Sequence, residues 1–423
     1  MSFKSKVTFV FLSAVVAAYV FVGGWLGTKA QQQINDPGAQ MRIFESVLQH
    51  IQNDYVDEPD LAKVRAGALR GLAYGLDPYS SYLTAEQVKD YLSNKNVKLV
   101  GIGAEFSQVS GYLYVISTIK GSPADKAGLK AGDVIEYIEN KATRDISLYD
   151  AQQLLLGEPG SKVKLRVLRS GSRPQTIIVE RGSYKIPEAE SRMEAGKIGI
   201  IKVYSLEEGE AKDIRNQLQN LLKQGAEKII LDLRGVAAGT LTEAVEVANL
   251  FIKEGTLAQV IGRENKVLRT YTADPSKHVF SGPLVALIDI GTAGAAEVVA
   301  SAILEYSRGE VVGEKSFGAG TEQELFTLRS GDGFLLTVAK WASGKGKPFL
   351  ADERSNSGVK PSVEVKRSDS PDSTDLENIL DQDEETPQQQ QQQTQPKPNE
   401  QEDIQLKKAL EILQGKSAVA TPK

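Results

Sequence analysis

Two glycine-rich runs hold the side chains of this 423-residue sequence best suited to covalent chemistry, Gly291 to Val298 and Gly313 to Gln323. Within them Thr292 supplies a hydroxyl, Lys315 an amine, Glu297 a carboxylate and Gln323 an amide. A hydroxyl becomes a nucleophile only beside a base, and a lysine serves as that base only when burial lowers its pKa. Thr292 stands where a residue would cap a helix starting near Ala293, and Lys315 reads as a solvated loop lysine. Gly294 has no side chain and Ala319 has only a methyl group, so neither position can attack a carbonyl or take up a proton. Two histidines and no cysteine leave zinc and thiol chemistry poorly supplied, so no metal site and no cofactor is expected. A net charge of -5 gives no electrostatic footprint for nucleic acid.

The elements around these runs are those of an α/β chain. With 41% hydrophobic and 25% charged residues the sequence is ordinary for a globular protein, and its length allows two or three domains. Strands are predicted at 198–204, 228–234 and 284–289, and helices at 208–223, 241–251 and 295–306. Continuous apolar strands alternating with helices predict a parallel-rich sheet covered on both faces. Upstream, helices are predicted over Met41 to Tyr55 and Leu61 to Tyr74, where apolar residues recur at helical spacing. Between the two regions, Tyr112 to Ser117 reads as a strand, Leu148 to Leu156 as an amphipathic helix, and Val163 to Arg169 as a closing strand. Beyond Val365 the composition turns to Ser, Asp, Glu, Pro and Gln, which predicts a linker, and the stripe Ile404, Leu406, Leu410 and Leu413 predicts a last helix.

The stretch Val7 to Thr28 carries no charge and is apolar on all sides, about the length that crosses a bilayer core of roughly 30 Å as a helix. Lys4 and Lys6 precede it, which leaves the N-terminus in the cytoplasm and sends the remainder across. No small-x-small cleavage site follows, so an uncleaved anchor is expected, with a cleaved signal peptide as the rival reading.

The segment Gly71 to Leu83 resembles the "LDPHSSYL" signature of the carboxyl-terminal processing peptidases, the PDZ-containing S41 serine proteases, with Tyr79 in place of histidine. Gly121 to Ile135 resembles their "GSPAxxAGLxxGDxI" run, and Gly358 to Val365 their "GxxPDxxV". The resemblance implies an α/β multidomain chain. With the apolar stretch read as a membrane anchor or signal sequence over 1–30, the expected order is a helical N-terminal region over 41–87 and a PDZ domain over 88–184. The PDZ domain is inserted before an S41 protease core of crotonase-like ββα type over 185–366, followed by a Gln/Pro-rich linker over 367–402 and a helix over 403–415.

The same resemblance places Gly294 at the family's serine position and Ala319 at its lysine position, with Gln323 retained as the residue that orients the lysine. Where the family has Asn-x-x-Gly-Gly, this sequence has Gly235 to Gly239 with Ala238 in place of a glycine. Ala238, Gly239 and Ala295 are the candidate oxyanion donors, and such donors bind a carbonyl without cutting it. Glu297 matches a family glutamate and reads as structural. Gly101, Ile102, Gly103 and Ala104 match the loop whose amides hold a peptide's terminal carboxylate. Departures at Tyr79, Ala238, Gly294 and Ala319 together argue natural divergence.

The expected function is that of a pseudopeptidase that binds peptide or protein C-termini, with an active S41 relative as a partner and oligomerisation allowed. An active endopeptidase with a divergent site is the alternative. A different crotonase-like chemistry ranks below both, because no coenzyme A signature is present. The expected location is a bacterial inner membrane with the bulk of the chain periplasmic or otherwise extracytoplasmic, or secretion if the leader is cleaved.

Overall fold

The computed structural model describes residues 37–93, 99–367 and 402–415. The expected anchor and nearly all of the expected linker lie outside these residues. No described helix is long and apolar enough to cross a membrane.

The chain divides after Ala68 into two units. The first contains α1 (Pro37–Asp54) and the start of α2 (Leu61–Tyr74). Met41, Phe44 and Leu48 recur at the spacing that gives a helix one apolar stripe, and all three are exposed.

The second unit opens with β1 (Ser81–Leu83) and α3 (Ala85–Ser93). The Thr84 hydroxyl accepts from the Gln87 amide at 3.3 Å while Gln87 Oε1 accepts from the Thr84 amide at 3.0 Å, a reciprocal cap that starts α3. A small antiparallel sheet follows, made of β2 (Ala104–Val109), β3 (Tyr112–Thr118), β4 (Val134–Ile138), β5 (Lys141–Ala142), β6 (Lys162–Leu168) and β7 (Gln175–Glu180). Two helices pack with it, α4 (Pro123–Ala127) between β3 and β4 and α5 (Leu148–Leu155) between β5 and β6. The strand order is β2-β3-β4-β6-β7, with β5 pairing β4. The strand expected to close this region, Val163 to Arg169, is therefore followed by one more. The alternating burial of β6 puts Val163, Leu165 and Val167 into one core with Ile102, Phe106, Leu148 and Leu155.

The third part contains β8 (Glu190–Glu194), β9 (Ile198–Lys202), α6 (Glu210–Lys223), β10 (Lys228–Asp232) and α7 (Leu241–Asn249). Then come β11 (Thr256–Ile261), β12 (Val267–Thr272), β13 (Leu284–Ile288), α8 (Ala295–Glu305) and β14 (Glu310–Gly313). The chain ends with β15 (Thr321–Thr327), β16 (Gly333–Ser343), β17 (Val363–Glu364) and α9 (Ile404–Leu413). Strands β17-β14-β13-β10-β9-β8 form one sheet, parallel except for β8. Leu284 to Ile288 is wholly buried because both faces are covered. Ile229, Leu231, Ala286 and Ile288 face α6, α7 and α8. Ile230, Val285, Leu287 and Val312 face Leu406, Ala409 and Leu413 of α9.

A second, antiparallel sheet, β1-β16-β11-β12 with β15 on β16, was not anticipated. Strands β15 and β16 are half exposed and β12 almost wholly so, while the buried β1 is only three residues long, which leaves no long apolar run to read. The pairing of Ser81 with Leu335 ties the segment before the small sheet to the last long strand of the core and closes the insertion.

Candidate active site and peptide groove

At the carboxyl end of β13 the chain turns through Asp289 into α8. Asp289 is buried, and its Oδ1 accepts from the amides of Gly235 at 2.9 Å and Gly291 at 3.0 Å. One carboxylate thus fixes two loops that are 54 residues apart in sequence. Thr292 is fully buried; its hydroxyl accepts from the Asp289 amide at 3.0 Å and donates to the Leu233 carbonyl at 3.0 Å. The expectation that Thr292 caps the helix is corrected here. The helix begins at Ala295 with Gly294 at the cap, because Glu297 reaches back to the Gly294 amide at 2.7 Å.

Gly294 adopts φ +54 and ψ -108, a sharp strand-to-helix turn that an L side chain occupies only with strain. A Cβ built there would meet nothing closer than Trp341 Cζ3 at 3.8 Å and the Ala237 carbonyl at 3.9 Å. The sharp turn and the space for a side chain are both present, and Gly294 places no side chain there.

Glu297 joins the elbow to the second glycine-rich run. Its carboxylate is fully buried and accepts from the amides of Gly294, Gly318 at 2.7 Å and Ala319 at 2.9 Å, and from the Ser316 hydroxyl. Burial pushes this carboxyl up to about 7, with the four hydrogen bonds pulling the other way. The structural role read for Glu297 in the sequence agrees with this geometry. Ala319 is held by its amide alone, and its methyl packs beside Phe317 and Ala293. Gln323 Nε2 donates to Thr321 Oγ1 at 2.7 Å and Thr337 Oγ1 at 3.2 Å, and Thr337 donates to Asp77 at 3.0 Å. Asp77 also accepts from the amides of Tyr79 and Ser80, so the Asp-Pro segment is a turn tied to β16.

Lys315 is not a freely solvated loop lysine. It is half-buried, its amine donates to the Ser355 carbonyl, and burial with the neighbouring Arg354 charge pushes its pKa down. No hydrogen bond joins it to Thr292, whose hydroxyl is committed elsewhere, so the two do not form a nucleophile and base.

The loop after β10 carries the candidate oxyanion donors. Gly239 sits at φ +155, and an added Cβ there would come within 2.6 Å of Leu206 Cβ. Ala238 is buried, and its carbonyl accepts from the Leu206 amide at 2.8 Å. Among the described residues nothing accepts from the amides of Ala238, Gly239 or Ala295.

Residues of the small sheet cover this region. Tyr112, Tyr114 and Ile116 of β3 share an apolar cluster with Ala293, Phe317, Ala237 and Ala319. The Tyr114 and Phe317 rings stack at 5.4 Å, Arg354 lies 3.6 Å from the centre of Phe317, and Ser117 donates to the Gly235 carbonyl. Sequence reading gave no hint of this cover, since each of its apolar residues also reads as ordinary core.

The peptide groove starts at Gly101 to Ala104. The carbonyls of this loop are occupied, Ile102 O by the Ala124 amide at 2.8 Å and Gly103 O by the Ile119 amide at 3.0 Å and the Ser122 hydroxyl at 2.8 Å. The amides of Gly101, Ile102 and Gly103 have no acceptor among the described residues, although Ile102 and Gly103 are buried. Buried amides without partners are rare, and a row of them is a donor set for an anion. Gly103 needs its glycine: at φ +75 a Cβ would lie 2.4 Å from Ser122 Cβ and 2.8 Å from the Tyr184 ring. Strand β2, which leaves this loop, is the end strand of its sheet.

A parallel-sheet core with a strained elbow, preceded by a small antiparallel domain whose loop offers free amides, defines a serine-peptidase scaffold with a PDZ module. Residues 197–365 match peptidase family S41, and residues 114–169 match the PDZ domain. The sequence is 32% identical over 363 residues to the "Carboxy-terminal processing protease CtpA" of Bacillus subtilis (strain 168), covering 85% of this chain and 77% of that protein. It is 30% identical over 354 residues to a "Probable CtpA-like serine protease" of Staphylococcus aureus (strain MSSA476), covering 83% and 69%. The solved structure of a photosystem II D1 C-terminal processing protease superimposes with a TM-score of 0.64 at 26% identity, covering 80% of this chain and 90% of that one. The chain belongs to the S41 family of carboxy-terminal processing proteases.

Proposed function

We propose that this chain is a pseudopeptidase, which holds the C-termini of peptides or proteins in its PDZ groove and does not cut them. The observation that carries the reading is the pairing of an intact elbow with no side chain on it. Gly294 and Ala319 bring neither nucleophile nor base, while Glu297 still bonds both loops as a working site would require. Triad members act as a unit, so the absence of two removes nearly all of the rate. Free amides at Gly101 to Gly103 support retention of the binding half of the function. An active S41 relative is the partner this reading favours, and the apolar stretch Val7 to Thr28 supports membrane anchoring with the remainder extracytoplasmic.

The test is a peptidase assay on an unstructured protein substrate, run beside a titration with peptides bearing free or amidated C-termini. No turnover is expected, with binding of acids and not of amides. Turnover that a Thr292→Ala change abolishes would support a relocated nucleophile and sink the proposal.

A further inference from the structure

The groove offers more than a carboxylate loop, and what lies beside it bears on which C-termini it takes. Strand β2 leaves the loop, so a peptide whose carboxylate sits on the Gly101 to Gly103 amides must run antiparallel to β2 along its free edge. Side chains then alternate between two faces, and directly opposed residues share a face. Ala104 and Phe106 of β2 pack with the apolar core under α5, so the peptide's last side chain points that way. Glu105 lies on the opposite face. The one irregularity between β2 and β3 places its extra residue, Ile116, on β3, so the alternation along β2 is intact. The peptide residue before the last therefore shares its face with Glu105.

Tyr184 packs its ring on Gly103 at the start of this strand, and Glu207, from the turn before α6, is near enough for its charge to be felt by both Glu105 and Tyr184. Among the described residues neither glutamate takes part in an ion pair. Burial and the Glu207 charge push the Glu105 carboxyl up to about 7, the signature of a carboxylate that lacks a cation. A cationic side chain placed here would relieve that repulsion, whereas an acidic one would add to it.

We propose that the groove selects C-termini with lysine or arginine immediately before an apolar last residue, Glu105 and Glu207 acting as the specificity-determining pair. This rests on the reading of the groove as a C-terminus-binding site. Three acetylated hexapeptides, four alanines followed by Lys-Val, Gln-Val or Glu-Val with free C-termini, are titrated into the full chain at pH 8, above the point where Glu105 loses its proton. The lysine peptide should bind about tenfold more tightly than the glutamate peptide, with glutamine between. Glu105→Gln should bring the two within about twofold of each other, and Glu207→Gln, at an exposed position that does not threaten folding, should cut the ratio in part. Equal affinity for the three peptides, or a preference that survives both substitutions, would overturn the inference while leaving the groove reading intact. Failure of every acid peptide to bind, or equal binding of their amides, would instead overturn the groove reading and this inference with it.

Discussion

Gly294 gives a prediction whose size follows from two geometric features of one residue. Its φ of +54 and ψ of -108 lie where L residues pay about 1–3 kcal/mol in backbone strain. The space around it is open, because a Cβ would meet only ordinary contacts at 3.8 and 3.9 Å. Packing therefore adds nothing, and the entropy that alanine removes from the unfolded chain returns about 0.4–1 kcal/mol. The expected net loss for Gly294→Ala is about 1.3 kcal/mol from the middle of those ranges and at most about 2.6, and the same within error for Gly294→Ser, since a hydroxyl in open space neither gains nor loses a partner. Urea titration followed by far-ultraviolet circular dichroism gives both values, with the slope checked for constancy so that a shift in midpoint reads as stability. Gly294→Ala more stable than the parent would refute the strained elbow. A loss above about 4 kcal/mol would refute the open space, because only a steric clash or a buried orphan reaches that size here.

Two further predictions test the frame around the elbow. Glu297→Ala leaves four donors, the amides of Gly294, Gly318 and Ala319 and the Ser316 hydroxyl, without their acceptor; at about 1–3 kcal/mol for each buried orphan the core should fail to fold stably, seen as loss of cooperative unfolding. The pH dependence has a defined sign. Glu105 and Glu297 titrate near 7 when folded against about 4.5 when unfolded, so the folded chain binds more protons in that window. Their contribution to stability is greatest below about pH 4.5, declines as pH rises to about 7 and is level above it. Melting temperatures at pH 5.5, 6.5 and 7.5 should fall in that order, and Glu105→Gln should flatten the trend; a rising series would refute the raised values.

Much of the scaffold was readable without coordinates because its signals are local. Leu284 to Ile288 is continuous apolar sequence because two layers cover it, and α2 has the bounds its spacing predicts. Gly294 and Ala319 were singled out by the resemblance of their segments to the S41 family's, and the structure places them on adjacent loops bonded to one carboxylate. Thr292 and Lys315 were misread for the same reason as each other. Their roles depend on Leu233, Asp289 and Ser355, which are distant in sequence or reached only through a folded loop. The antiparallel sheet was missed because exposed strands such as β12 and half-exposed ones such as β16 show neither a long apolar run nor strict alternation.

The sequence by itself determined that Gly294 and Ala319 carry no hydroxyl and no amine, a matter of residue type that no fold alters. It also determined the layers of the core, because burial on two faces is written as an apolar run. Only the tertiary structure decided how the loops around these positions are held together. Asp289 holds Gly235 and Gly291 together, Glu297 holds Gly294 to Ala319, and β3 lays Tyr114 over Phe317. It likewise decided that Glu207 stands near enough to Glu105, 102 positions before it in the numbering, for its charge to bear on that carboxyl. Hydrogen bonds and charge interactions act over a few ångströms of space, and which residues come that close is set by how the chain is packed.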